Sequence, residues 1–175
     1  LEESACPTCG SCDGMFTANT MACLTEAMGM SLPDCATASA VSSLKLRIAR
    51  DSGEQVVRLV REDLKPSDVI TSKALDNAII MDSALGGSTN VVLHLTAIAR
   101  EAGISLELER FDELSGVTPH LCDMAPGGPH TMEDLHHAGG VKAVMKELRD
   151  KLELDALTVS GKTLRENVEG ASVYD

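Results

Sequence analysis

Apolar residues recur along this chain mostly with the three-to-four-residue spacing of helices rather than the alternation of strands. Met21, Leu24 and Met28 form one such stripe, with Thr17 or Asn19 available to cap its start and Gly29, then Pro33, to stop it. The same spacing predicts a helix over 38–50 and another over 54–62, the latter turning Val56, Val57 and Val60 inward. Lys65-Pro66-Ser67 then breaks the pattern. From Ser72 the run Leu75, Ala78, Ile79 predicts a helix to Leu85, ended by Gly86-Gly87; Ser88 or Asn90 can cap the next one, which runs through Arg100 and stops at Gly103. Ile104 to Leu108 alternates apolar and acidic residues as a short strand does, and His120 to Met124 reads as another. A last helical stretch, Met132 to Leu152, is interrupted at Gly139-Gly140. With no internal repeat and no low-complexity stretch, the pattern predicts a helix-rich piece with a few short strands, part of an α/β domain.

Composition narrows this. The 175 residues are 43% hydrophobic and 24% charged, ordinary for one domain with its own core. Aromatics make up only 2% and Trp is absent, so that core must be aliphatic, helped by eight Met residues. The net charge of -12 repels phosphate backbones, and no cluster of Lys and Arg interleaved with aromatics offsets it, which argues against nucleic acid as a partner. No apolar stretch approaches the roughly 20 residues that cross a bilayer. The start, Leu-Glu-Glu-Ser, lacks the basic-then-apolar pattern of a signal peptide, so a cytoplasmic location is expected, with no membrane partner. Residue 1 is not Met and the sequence ends abruptly on Gly-Ala-Ser-Val-Tyr-Asp, as a piece cut from a longer polypeptide would.

Three of the six cysteines crowd into Cys6, Cys9 and Cys12, where loops are too short for a stabilising disulfide framework, so reduced thiols are expected. They stand just before a predicted helix start, whose partial positive charge favours thiolate, and such a loop can hold iron or zinc. Equally, one or two of them could be small buried hydrophobes. No second C-x-x-C or H-x-x-x-H offers the rest of a zinc site. The fourth cysteine of a ferredoxin run is replaced by Met15, and no strand precedes Cys6 and Cys9 as in a thioredoxin-like pair. Spacing alone leaves open which cysteine binds.

Two further constellations carry polar chemistry. The turn Gly86-Gly87-Ser88-Thr89-Asn90 points amides and hydroxyls toward a helix start, a seat for a carboxylate or phosphate that makes Ser88 and Thr89 substrate-side candidates. It is no P-loop, having no Lys after the second Gly, and a glycine-permitted turn with an ordinary cap explains it as well. His130, Glu133, Asp134, His136 and His137 place Glu133 and His137 one helical turn apart, but H-E-x-x-H is absent and a solvated helix face accounts for them better than a metal site.

The longer stretch Ala5-Cys6-Pro7-Thr8-Cys9-Gly10-Ser11-Cys12-Asp13-Gly14-Met15-Phe16-Thr17-Ala18-Asn19-Thr20-Met21 resembles the cysteine motif of the dihydroxy-acid and phosphogluconate dehydratase family. Leu85 to Leu95 and Met132 to Val141 resemble two further stretches of that family, in the same order and spacing, and Phe16 to Met21 is closer to its dihydroxy-acid branch. The resemblance implies a helix-rich part of the N-terminal α/β domain of a two-domain dehydratase, spanning 1–175 with the C-terminal domain absent. It implies an iron-sulfur cluster, 2Fe-2S or 4Fe-4S, held by three cysteines from separate motifs. The one that maps here is Cys12; Cys6 and Cys9 become neighbours of the site. Mg2+ is the second implied cofactor. The implied activity is that of a hydro-lyase, probed by a small-molecule 2,3-dihydroxy acid that loses water to give a 2-keto acid in branched-chain amino acid (valine, isoleucine) biosynthesis, by a homodimer. Three cysteines leave one iron open to act as a Lewis acid on the departing hydroxyl, which four would not. No catalytic base maps onto these residues, so the isolated piece is expected to be inactive. The alternatives are a phosphogluconate or sugar-acid dehydratase, and a non-catalytic iron-sulfur or zinc-binding module using all three cysteines.

Overall fold

A computed structural model describes residue 10 and residues 12–174. Among these it contains nine helices: α1 Thr17–Ala27, α2 Ser43–Arg61, α3 Pro66–Val69, α4 Ser72–Leu85, α5 Asn90–Glu101, α6 Leu108–Val117, α7 Met132–His137, α8 Gly140–Glu147 and α9 Leu164–Val168.

The fold is organised around α4. Ala74, Leu75, Ala78, Ile79, Ile80, Met81, Ala84 and Leu85 are all buried, so this helix is apolar nearly all round, as a central helix must be. It packs against α1, α5, α6 and α8. Leu24 of α1, Leu95 of α5 and Met145 of α8 are fully buried in the same core, each such side chain worth about 1.5–3 kcal/mol of burial. The one fully buried polar residue of α4 is satisfied: Asn77 donates to the Glu153 carbonyl at 3.2 Å and accepts from the Glu153 amide at 2.8 Å. Thr71 caps the helix by accepting from the Ala74 amide, and Gly86 closes it in the left-handed conformation, φ 61°.

The predicted α/β character is not found among the described residues, which contain no strand. Only two isolated bridges occur, Met124 with His130 and Leu157 with Thr163. A strand needs a neighbour to take its N–H and C=O groups. Ile104 and Leu106 instead pack singly against the helical core, and Leu108, assigned to the end of that strand, opens α6. At the second predicted strand, the Leu121 and Cys122 amides both donate to the Ala84 carbonyl, finishing α4 rather than pairing with a strand.

Two helix expectations also change. The stretches over 38–50 and 54–62 are one helix, α2, capped by Ser42 and running straight through Gly53. Val56, Val57 and Val60 lie on its exposed side, not inward; the face turned to the protein carries Ile48 and Gln55, and the Gln55 amide donates to the Val159 carbonyl at 2.7 Å. At α1, Phe16 is the N-cap residue and offers no side-chain bond, so neither Thr17 nor Asn19 is the cap. Both are used elsewhere. The interruption at Gly139-Gly140 is as expected: it separates α7 from α8, with φ 115° and 69°.

Candidate functional site

Cys12 is exposed and its thiol is free. It stands on the short loop leading into α1, and that loop is held from the helix itself. The Asn19 amide donates to the Cys12 carbonyl and the Gly14 carbonyl, both at 2.6 Å, and approaches the Cys12 Sγ at 3.8 Å. Asn19 can do this because it lies in the first turns of α1 with its side chain folded back over the loop, 4% exposed. The loop is also fastened on its far side. The Met15 amide donates to the Ala125 carbonyl at 2.7 Å, and the Met132 amide to the Asp13 carbonyl at 2.7 Å.

A second set of bonds ties α1 to the glycine turn between α4 and α5. The Ser88 backbone amide donates to Thr20 Oγ1 at 3.2 Å, the Ser88 and Thr17 hydroxyls share a bond at 3.1 Å, and the Asn90 side-chain amide donates to Thr17 Oγ1 at 2.7 Å. Gly87 is required here on space alone. A Cβ at that position would fall 2.1 Å from Asp82 Oδ1 and 2.7 Å from the Thr20 methyl.

Two acids behind this surface are displaced from ordinary behaviour. Asp82 Oδ1 is buried without a hydrogen-bond partner, and desolvation pushes its carboxyl up to about 7. Glu26, on α1, is also pushed up to about 7 by burial, partly countered by the amides of Asp34 and Ala36, which donate to its two oxygens at 3.0 and 3.1 Å. Lys142 Nζ reaches Asp34 at 2.9 Å, so the segment after α1 is pinned to α8. The Cys23 and Cys122 thiols are raised by burial, which makes them inert compared with an exposed thiol.

Beside the cysteine loop, a cavity of about 520 Å3 is lined by Cys122, Asp123, His130, Asp134 and His137. Among the described residues no three His, Cys, Asp or Glu side chains gather closely enough to hold an ion. Asp134 is spent on the Thr131 cap of α7, accepting from its amide at 2.7 Å and its hydroxyl at 2.9 Å. These bonds hold its carboxyl below the usual carboxylate range. His136 shares a bond with the Thr37 hydroxyl at 3.1 Å. On α7, Glu133, Asp134 and His137 are exposed and His136 is half-buried.

The model of the dihydroxy-acid/6-phosphogluconate dehydratase N-terminal family matches residues 1–167. The chain belongs to this family. Proteins named dihydroxy-acid dehydratase are its close relatives. That of Methanosarcina barkeri is 58% identical over 168 residues, 96% of this chain and 30% of the relative. Those of Acetivibrio thermocellus and Caldicellulosiruptor saccharolyticus are 54% and 53% identical, covering 99% and 100% of this chain and 32% of each relative. The chain thus spans about a third of the length of the curated relatives it matches. Among the described residues no helix is long and apolar enough to cross a membrane.

The structure brings some of the candidate residues of this family's motifs together and leaves others apart. Cys12 and the Ser88 turn meet the same helix, α1, through Asn19 on one side and Thr17 and Thr20 on the other. Thr89 is exposed at the start of α5. Cys6 and Cys9 lie outside the described residues. Sequence reasoning missed Asn19, Asp82 and Glu26. For Asn19 the sequence offers only a helix-cap reading; its bonds to the Cys12 and Gly14 carbonyls leave no mark in the side-chain pattern. The burial of Asp82 and Glu26 is tertiary, and each sits in a stretch that reads as an ordinary polar helix position.

Proposed function

We propose that this chain is the cluster-bearing part of the N-terminal domain of a dihydroxy-acid dehydratase. In this reading the full-length enzyme removes water from a small 2,3-dihydroxy acid to give a 2-keto acid in branched-chain amino acid biosynthesis, working as a cytoplasmic homodimer. The observation that carries it is Cys12, an exposed free thiol on a loop that α1 holds in place, at the motif position implied to bind an iron-sulfur cluster. One exposed thiol fits one ligand of a shared cluster and cannot hold a cluster by itself. A lone-ligand loop needs rigidity, which the Asn19 bonds supply.

Cys12 offers its thiolate, and the Asn19 side chain fixes the backbone on either side of it. When bound, the cluster supplies a Lewis-acidic iron to the leaving hydroxyl, and Mg2+ polarises the substrate's carboxylate end. Ser88 is engaged with Thr17 and supports the shape of the site; Thr89, exposed at the α5 start, is the hydroxyl presented outward. None of these residues is assigned the role of catalytic base.

The test is turnover by the full-length protein with 2,3-dihydroxyisovalerate, 6-phosphogluconate and a sugar acid. The reading expects 2-keto acid from the first substrate. Preference for either of the others assigns the chain to the second branch of the family.

A further inference from the structure

The helix α2 carries an apolar stripe that is exposed among the described residues. Leu46, Ala49, Gly53, Val56 and Val60 recur at alternating spacings of three and four, with Val57 four residues after Gly53, which puts all six along one side of the helix. All are exposed, and the large ones range from 49% at Val57 to 76% at Val60. The body of the protein meets a different side of α2, the one bearing Ile48 and Gln55. In the middle of the bare stripe stands Gly53, where a Cβ would meet nothing within 4 Å. Glycine inside a helix is destabilising relative to alanine, and no contact among the described residues requires it here. A glycine flanked by Ala49 and Val57 on an open face suits close approach by another backbone.

We propose that this face of α2 is an internal interface, covered by the part of the dehydratase polypeptide that the relatives possess and this chain does not. The inference rests on the reading given under Proposed function, that the chain belongs to a longer enzyme. Its occupant is set by two observations. The chain accounts for only 30% to 32% of the length of its relatives, so most of each relative's polypeptide is available to pack against it. A second copy of α2 is the poorer occupant on charge. The helix carries Lys45, Arg47, Arg50, Arg58 and Arg61 against Asp51 and Glu54. Arg50 pairs with Asp51 and Glu54, Arg58 with Glu62 at the C-cap, and Lys45 donates to the Cys35 carbonyl. The helix still stays net positive in a chain whose net charge is -12, so pairing α2 with itself would bring like net charge together. The covering surface is therefore aliphatic with an acidic rim.

The experiment places single cysteines in the full-length protein, at Leu46→Cys, Val57→Cys and Val60→Cys on the stripe and at Glu54→Cys on the exposed polar side. Alkylation rates are read by peptide mass spectrometry over a range of protein concentrations, with circular dichroism reporting folding. The stripe positions are expected to react on the order of tenfold or more slowly than position 54, independently of concentration. Equal rates at all four positions overturn the proposal. So does protection that disappears on dilution together with loss of the dimer by light scattering, which assigns the face to a second copy. Using three stripe positions keeps the test decisive if one variant misfolds. Dehydratase activity of the same preparation separates the two readings: a protected α2 in a protein that dehydrates no dihydroxy acid sinks the proposed function alone, and an exposed α2 in an active enzyme sinks this inference alone.

Discussion

The side-chain amide of Asn19 lies 2.6 Å from the carbonyl oxygen of Cys12, so the helix that follows the cysteine also fixes it. Two carbonyls, those of Cys12 and Gly14, depend on this one amide. Asn19→Ala leaves them without that donor and is expected to lower stability by about 1–3 kcal/mol. Asn19→Asp is expected to be worse, because it aims a carboxylate at two carbonyl oxygens. Thermal denaturation of both variants checks the order, and an alanine variant less stable than the aspartate would contradict the geometry.

Gly87 is held between Asp82 and Thr20. Gly87→Ala is expected to force the α4–α5 turn away from α1, at about 1–3 kcal/mol, and to weaken the bonds joining Ser88 to Thr17 and Thr20. Gly53→Ala gives the opposite sign in the 175-residue chain, a gain of about 0.5–1 kcal/mol, since its Cβ enters open space in a helix interior. Urea midpoints of the pair test whether these two glycines are kept for different reasons.

Glu26 and Asp82 give the fold an unusual pH dependence. Both carboxyls are raised from ordinary values of 4.5 and 3.8 to about 7, mainly by desolvation. Between those limits the folded chain holds protons that the unfolded chain has released. Stability from these groups is therefore fully present below the lower values and is lost as pH rises through about 7. The urea midpoint is expected to be higher near pH 5.5 than near pH 8. Asp82→Asn, which removes the charge and keeps the shape, is expected to flatten the slope and gain about 1 kcal/mol near pH 8. A midpoint that climbs with pH in the native chain would contradict the burial of these acids.

The helical skeleton was largely legible because its apolar spacing is local: α1, α4 and the break between α7 and α8 follow from Met21, Leu24, Leu75, Ile79 and Gly139, and α5 ends just before Gly103 as expected, although its N-cap is Thr89 rather than Ser88 or Asn90. The strands were not. Alternation at Ile104 and Leu106 marks residues that dip singly into a helical core as well as it marks a strand, and only the presence of a neighbouring strand decides between them. The orientation of α2 failed for a similar reason. It has two apolar sides, and the sequence cannot say which one this chain buries. At the site, Cys12 was reached through the long motif rather than through local spacing, which treats Cys6, Cys9 and Cys12 alike. Asn19 escaped because its work is done on backbone carbonyls, which leave no mark in the side-chain pattern.

In the proposed reading Cys12 is this chain's single cluster ligand, and one thiolate is too few to hold a cluster. The isolated chain is expected to keep no stable visible chromophore after reconstitution with iron and sulfide, and to dehydrate nothing. Robust turnover of 2,3-dihydroxyisovalerate by the isolated chain would contradict this.

The visible absorption of the iron-sulfur cluster in the full-length enzyme, compared between Cys12→Ser and Cys6→Ser, tests the assignment most directly. Cys12→Ser is expected to abolish or strongly weaken that absorption while Cys6→Ser largely keeps it; a cluster that survives at Cys12→Ser and is lost at Cys6→Ser would contradict the account.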